Sequence, residues 1–416
     1  ELGDILQLPL PATPPYNLAG KVTHQAEEER WNLIALTGTV GDSDLAGDVS
    51  FELAGERPTL VADLTSKKLD FDDLGVLIGA PTGTAPGETA SAEQKQEAAE
   101  AEADRYALPD APFDVPELRA IDARVKFEGQ SIQAKKLPLE RMSLDLTLED
   151  GKLTFEPLRF DLADGEFTSV ISLDGRSDVL DGEFDLTLRS IKLNQLFAQF
   201  DIEIADIEME QEGVGTFGGG AQLKARGNSI HALAANANGE VAVIMNGGRI
   251  SALIVEGIGL DVGEALGLLF SESDEEQSAM VPIRCFVARF AARDGVLQTE
   301  ALVLETSDAT ITGKGEIDLG EEELALELLA HPKDPSVLTA STPVRIEGTF
   351  KEPKIDLVSE ELQEKSLAAL ALGVVLPVIG AVLPFIEQGE TKDSNCARLI
   401  ADAKADVPAA AAEEPQ

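Results

Sequence analysis

From Leu144 the chain reads LDLTLEDGKLTFEPLRFDLADGEF, with Leu144, Leu146 and Leu148 alternating with Asp145 and Thr147. The pattern returns at Phe184, Leu186 and Leu188, which alternate with Asp185 and Thr187. It is clearest at Leu324, Leu326 and Leu328, set between Glu323, Ala325 and Glu327. A period of two predicts strands with one dry and one wet face. Gly, Asp and Ser turns separate them here and in the stretch from Trp31 to Gly79, which is the signature of an antiparallel meander.

The rhythm repeats loosely. GDSDLAGDVSFELAGERPTLVADLTSKKLDFDDL matches ADGEFTSVISLDGRSDVLDGEFDLTLRSIKLNQL in its order of turns and strands, and SDATITGKGEIDLGEEELALELLAHPKD is a third copy in outline. Units that bury little alone but stack edge to edge predict an array. The expected fold is mainly β: an elongated, curved antiparallel β-sheet groove built of repeats. One amphipathic helix and a C-terminal apolar helical hairpin complete it.

The expected boundaries are a first β-segment over 1–79, an Ala/Glu-rich disordered insertion over 80–112 and a central β-segment over 113–249. An amphipathic helix and acidic loop follow over 250–275, then a last β-segment over 276–358, the apolar hairpin over 359–400 and a disordered tail over 401–416. The run Leu367–Ile386 is uncharged and about long enough to cross a bilayer. Pro377, Pro384, Gly373 and Gly380 interrupt it, and Glu364 and Glu387 give it no cationic flank. A broken hairpin that plugs the sheet or lies on a membrane face is expected over a transmembrane helix.

Charge narrows the partners. The 416 residues carry 76 acidic against 33 basic groups, a formal net charge of -43. Such a surface repels phosphate backbones, so nucleic acid is excluded as a partner class. Apolar residues make up 44% and aromatic residues 5%, with Trp31 the sole tryptophan, so the dry faces are aliphatic.

Chemistry-bearing motifs are weak. Gly213, Gly215 and Gly218 have the spacing of a dinucleotide loop, but the flanking text reads strand to strand rather than strand to helix. His24, His231 and His331 are scattered and form no zinc pattern. Asp70, Asp72 and Asp73 lack the glycine and terminal glutamate of a calcium loop and read as turn formers. Neither a nucleophile elbow nor a paired-acid motif is present, so no enzyme activity, metal or cofactor is expected. Cys285 and Cys396 are the two cysteines, either two buried thiols or a disulfide in an oxidising compartment. The text starts at Glu1 without a signal-like segment, which reads as a fragment or processed form.

Longer stretches carry a resemblance. LGDILQLPLPATPPYNLAGKV, the text from Trp31 to Leu74, GNSIHALAANANGEVAVIMNGGRISALIVEGIGLD, PIRCFVARFAARDGVLQTEALVLETSDATITGKGEIDL and HPKDPSVLTASTPVRIEGTFKEPKIDL together resemble the AsmA family of bacterial envelope proteins. The resemblance implies a protein held in the inner membrane by an N-terminal helix and projecting into the periplasm, with this chain its C-terminal, anchor-less portion. It implies a bridge-like lipid-transfer protein that carries phospholipid along a β-groove and supports outer-membrane assembly. A scaffold or regulator acting through outer-membrane or periplasmic protein partners is the alternative. Through an oxidising periplasm the resemblance also implies a Cys285–Cys396 disulfide.

The physics of the pattern agrees with the first reading. A sheet with one apolar face must cover it, and this chain has few helices to do so. A sheet curled on itself leaves an aliphatic trough, where each buried methylene of a lipid contributes about 0.8 kcal/mol. The residues expected to line it are Leu144, Leu146, Leu148, Phe184, Leu186 and Leu188, with Ile311, Ile317, Leu324, Leu326 and Leu328 further on. A closed sandwich core built from the same residues is the competing expectation.

Overall fold

The computed structural model describes residues 15–73, 95–96, 98–100, 105–134, 138–192, 195, 215–251, 280–333 and 343–356. Most of the Ala/Glu-rich segment expected at 80–112, nearly all of the helix expected at 250–275, the apolar run at 359–400 and the tail at 401–416 lie outside the described residues. By their contacts the residues form two compact units. The first comprises Glu1–Ile191, Gly220–Gly239 and Arg293–Gly295, and the second comprises Lys192–Gly219, Glu240–Ala292 and Val296–Gln416.

The first unit opens with β1 (Tyr16–Gln25), β2 (Arg30–Val40), β3 (Ser43–Glu52), β4 (Thr59–Ser66) and the two-residue β5 (Leu69–Asp70). It continues with α1 (Val115–Ala120), β6 (Asp122–Gly129), β7 (Ile132–Gln133), β8 (Leu139–Glu149), β9 (Lys152–Leu162), β10 (Gly165–Asp174) and β11 (Asp181–Lys192). Strand registers give the order β1-β2-β3-β4-β6-β8-β9-β10-β11. Every pair is antiparallel except β4–β6, which is parallel from Thr59↔Asp122 to Ser66↔Gly129. A parallel pair needs a long connection, and the Ala/Glu-rich segment lies within the one between these two strands.

Local chemistry explains the hairpins. Asp150–Gly151 joins β8 to β9 and Ala163–Asp164 joins β9 to β10, all four residues with φ between 48° and 76°. Two-residue turns with both φ positive match the right-handed twist of the strands they join. The β2–β3 turn is fastened from outside: the Asp73 carboxylate accepts from the backbone N–H of Asp42 and Ser43, each at 3.0 Å, and from the Ser43 hydroxyl at 2.6 Å. Burial pushes the Asp73 carboxyl above its ordinary range despite those bonds.

Bulges interrupt the ladders. Ala35 (φ 52°) lies in a register shift between Leu33 and Leu36, and its N–H is satisfied by Asp48 Oδ1 at 2.8 Å. A second shift separates Leu144 from Leu146 against β9, and a third separates Ser169 from Ile171. Each bulge raises local twist and bends its strand.

Further along come β12 (Thr216–Arg226), α2 (Ile230–Ala235), β13 (Asn238–Asn246), β14 (Arg249–Ser251) and β15 (Met280–Arg293). Then follow β16 (Val296–Thr306), β17 (Ala309–Asp318), β18 (Glu323–Pro332), β19 (Val344–Thr349) and β20 (Pro353–Asp356). The last five form an antiparallel meander in chain order. The expected architecture, mainly β with large open antiparallel sheets and few helices, is therefore the observed one.

Residues 105–113, read from sequence as the end of the insertion and the start of the next segment, are tied to α2 of the same unit. The ring of Tyr106 lies 4.3 Å from that of His231, His231 N–H donates to Pro109 O at 3.0 Å, and the Ser229 hydroxyl donates to Asp110 Oδ1 at 2.8 Å.

Candidate functional site

Cross-strand partners share a face, so the registers of the first unit can be followed as rows. One row is Ala62, Val125, Leu146, Phe155, Ile171 and Phe184, crossing β4, β6, β8, β9, β10 and β11. Beside it run Leu64, Phe127, Leu144, Leu158, Ser169 and Leu186. The flanking rows are Leu60, Ala123, Leu148, Leu153 and Leu173 on one side and Met142, Phe160, Phe167 and Leu188 on the other. No charged side chain interrupts these four rows. The opposite face is polar: Lys126 pairs with Asp145 at 3.6 Å, and Arg141 pairs with Asp161.

Burial across this face is uneven. In the flanking row near one set of strand termini, Ala123 at 7%, Leu148 at 7% and Leu173 at 8% exposure are sealed, while Leu60 and Leu153 are half-buried. There α1 crosses the strand ends, with Val115 buried and Arg119 Nε donating to Gly175 O at 2.6 Å. At the other termini the β5–β7 pair, Leu69↔Ile132, forms a buried cluster with Met142, against which Phe71, Phe127, Leu144 and Phe160 pack. Between these rims Val125, Leu146, Phe155, Ile171 and Phe184 are only half-buried. The face is a floor of aliphatic and phenyl groups between two walls, half-buried over most of its area and sealed at Ala62 and Ser169.

The second unit repeats the pattern on its meander. Ile317 lies between Leu297 and Leu324, Leu326 between Gly315 and Ile346, and Leu328 between Gly313 and Val344. Ile311 pairs with Leu304 and Ala330 and is buried, as is Val344, whereas Ile317, Leu324, Leu326, Leu328 and Ile346 are half-buried. At Gly313 a Cβ would lie 2.3 Å from Leu302 Cδ2 and 2.8 Å from Leu328 Cδ2, so both leucines reach across the bare backbone and a side chain there would displace their ends. On the other face Glu305 is 1% exposed and is held by Lys333 Nζ at 2.9 Å and Arg284 Nη1 at 3.6 Å.

All eleven residues expected to line the trough thus lie on apolar faces, six in the first unit and five in the second. Sequence reading overlooked their neighbours Val125, Phe127, Leu153, Phe155, Leu158, Phe160 and Phe167. In β6 the signal was present, since Ala123, Val125 and Phe127 alternate cleanly. In β9 it was scrambled: Leu153 and Phe155 change phase to Leu158 and Phe160, because the bulge opposite Val170 inserts a residue.

Groups that suggested other chemistry have structural work. Cys285 is fully buried in β15, and Cys396 lies outside the described residues. His24 stacks on Trp31 at 4.1 Å, and His331 Nε2 lies 3.1 Å from Thr312 Oγ1. Ser229, His231 and Asp110 adjoin one another, but the hydroxyl is bonded to the carboxylate and accepts from Ala232 N–H, which makes it the N-cap of α2 rather than a nucleophile activated by an imidazole. Gly218 lies inside β12, a strand, and not before a helix; Gly213 lies outside the described residues. Among the described residues no group of three acidic, His or Cys side chains is placed to hold a metal ion, and no helix is long and apolar enough to cross a membrane.

Comparison with known proteins identifies a family. The sequence model of the AsmA family matches residues 8–302. The chain is 28% identical over 411 residues to the AsmA family protein YhjG of Escherichia coli (strain K12), an alignment covering 97% of this chain and 58% of that protein. It therefore spans less than two thirds of the length of this curated relative. No solved structure matches it significantly. With the family model covering most of its length, the chain belongs to the AsmA family.

Proposed function

We propose that this chain is the periplasmic part of an inner-membrane-anchored envelope protein that binds phospholipid by its acyl tails and conducts it along the apolar sheet faces. The reading takes the lipid to travel between inner and outer membrane and so to support outer-membrane assembly and integrity. The observation that carries it is a wide, uncharged floor whose apolar side chains stay half-buried over most of its area. A globular sandwich would seal such a floor, whereas large exposed or semi-exposed apolar surfaces mark binding sites.

Dimensions suit the cargo. An acyl tail reaches about half of a ~30 Å hydrocarbon layer. Strands lie about 4.8 Å apart, so such a tail laid across them covers about three. Each methylene it buries contributes about 0.8 kcal/mol, while the headgroup stays in water. Binding and sliding make and break no bond, so no catalytic residue is invoked. Within an oxidising periplasm Cys285 and Cys396 pair, and closing so long a loop stabilises by about 4–5 kcal/mol in the chain-entropy model.

Replacing Leu326, half-buried between Gly315 and Ile346, with aspartate tests the reading. Phospholipid should cease to co-purify while the far-UV CD spectrum stays that of the parent. Loss of the strand signal together with the lipid would assign Leu326 to a closed core and defeat the proposal.

A further inference from the structure

We propose that the free edge of β1 is a strand-addition site for an extended segment of another polypeptide, one with apolar side chains at alternate positions and carboxylates between them. The proposal goes beyond the lipid reading and stands without it. β1 is registered with β2 on one side only among the described residues. Nine of its ten residues are exposed. In an antiparallel ladder roughly half of a strand's backbone N–H and C=O groups point away from its one partner, so the edge offers a row of unmet donors and acceptors.

Side chains say which strand would fit. Leu18, Val22 and His24 are paired with Gly38, Leu33 and Trp31. Leu33 in turn partners Val49, which partners Ala62, so Val22 ends the apolar row that contains Leu146. The apolar face runs out into water along β1: Val22 is 58% exposed, Tyr16 46% and Leu18 37%. On the other face β1 presents Asn17, Ala19, Lys21, Thr23 and Gln25. In a chain of net charge -43, this strand has a lysine and no carboxylate.

The occupant follows by elimination of what cannot meet both needs. A hydrocarbon covering Val22 cannot answer the edge amides, and burying them unbonded is costly. A second copy would bring two surfaces of charge -43 together. An extended strand with apolar residues over Tyr16, Leu18 and Val22 and a carboxylate near Lys21 satisfies ladder, face and charge at once. Lys21 is also the residue type that natural edges use against indiscriminate pairing, which fits selection of an acidic strand rather than an open template.

The test uses the intact chain and a fluorescein-labelled decapeptide of alternating valine and glutamate, with alternating valine and lysine as comparator. Anisotropy should show binding of the glutamate peptide at least tenfold tighter than the lysine peptide. Hydrogen exchange should slow at alternate β1 amides. Lys21→Glu and Val22→Asp, both at an exposed edge, should each weaken binding at least fivefold with unchanged CD, and Val170→Asp, on the outer face in mid-sheet, should leave it unchanged. Equal binding of both peptides, protection elsewhere than β1, or no binding at millimolar peptide overturns the proposal. Concentration-dependent protection of β1 without peptide, with dimers in sedimentation, overturns it in favour of a second copy.

Discussion

Truncation of Leu146 to alanine measures how open the floor is. Leu146 is half-buried between Val125 and Phe155, whereas Leu180 in the same unit is wholly excluded from solvent. Either change removes three carbons, worth about 2.4 kcal/mol of transfer free energy if fully buried. At Leu180 a cavity is left behind as well, so the total should be about 3–4 kcal/mol. At Leu146 only part of that area is dry and the vacated volume opens to water, so no cavity term applies and about 1 kcal/mol is expected. Urea unfolding followed by CD reads both on one scale, since each variant belongs to the same cooperative unit and should share its slope. An equal loss at the two positions would refute the reasoning, because it would mean that Leu146 is packed as tightly as a core residue. Leu146→Asp extends the argument to function: a carboxylate beneath an acyl tail should lower lipid occupancy more than tenfold, tenfold being 1.4 kcal/mol.

Other expectations follow from local geometry. Gly47 (φ +145°) has Asp63 O 2.0 Å from the position of a Cβ, so Gly47→Ala should cost at least about 2 kcal/mol in urea unfolding, where an unstrained site would gain. The Arg176 guanidinium holds the Asp174 carboxyl down at about 2. A depressed folded value gives stability that is present above the ordinary value near 3.9 and is lost as pH falls towards 2, so Arg176→Ala should lower the urea midpoint at pH 5 and do progressively less by pH 2. If Cys285 and Cys396 pair as proposed, alkylation in denaturant should label no thiol before reduction and two after it.

How much of this could be read from sequence depends on where the determining interactions lie. The triplets at Leu144, Phe184 and Leu324 were legible because a period of two is a local property, and Asp150–Gly151 was legible because the turn selects those residues. The phase change in β9 was not, since a bulge is defined by its partner strand. The parallel β4–β6 pair depends on strands far apart in the chain, which no window detects. α1 has six residues, too few for a helical period, although Asp114 capping Glu117 N–H with a proline in the first turn marks its start. The β5–β7 wall rests on two residues from each strand and has no pattern at all. The floor was thus visible in the text and its rims were not.

Native mass spectrometry of the gently purified chain tests the central claim most directly. Adducts with the mass of intact phospholipids, depleted in the Leu326→Asp and Leu146→Asp variants, are predicted. Bare polypeptide alone, recovered under conditions that keep known lipid carriers loaded, would contradict it.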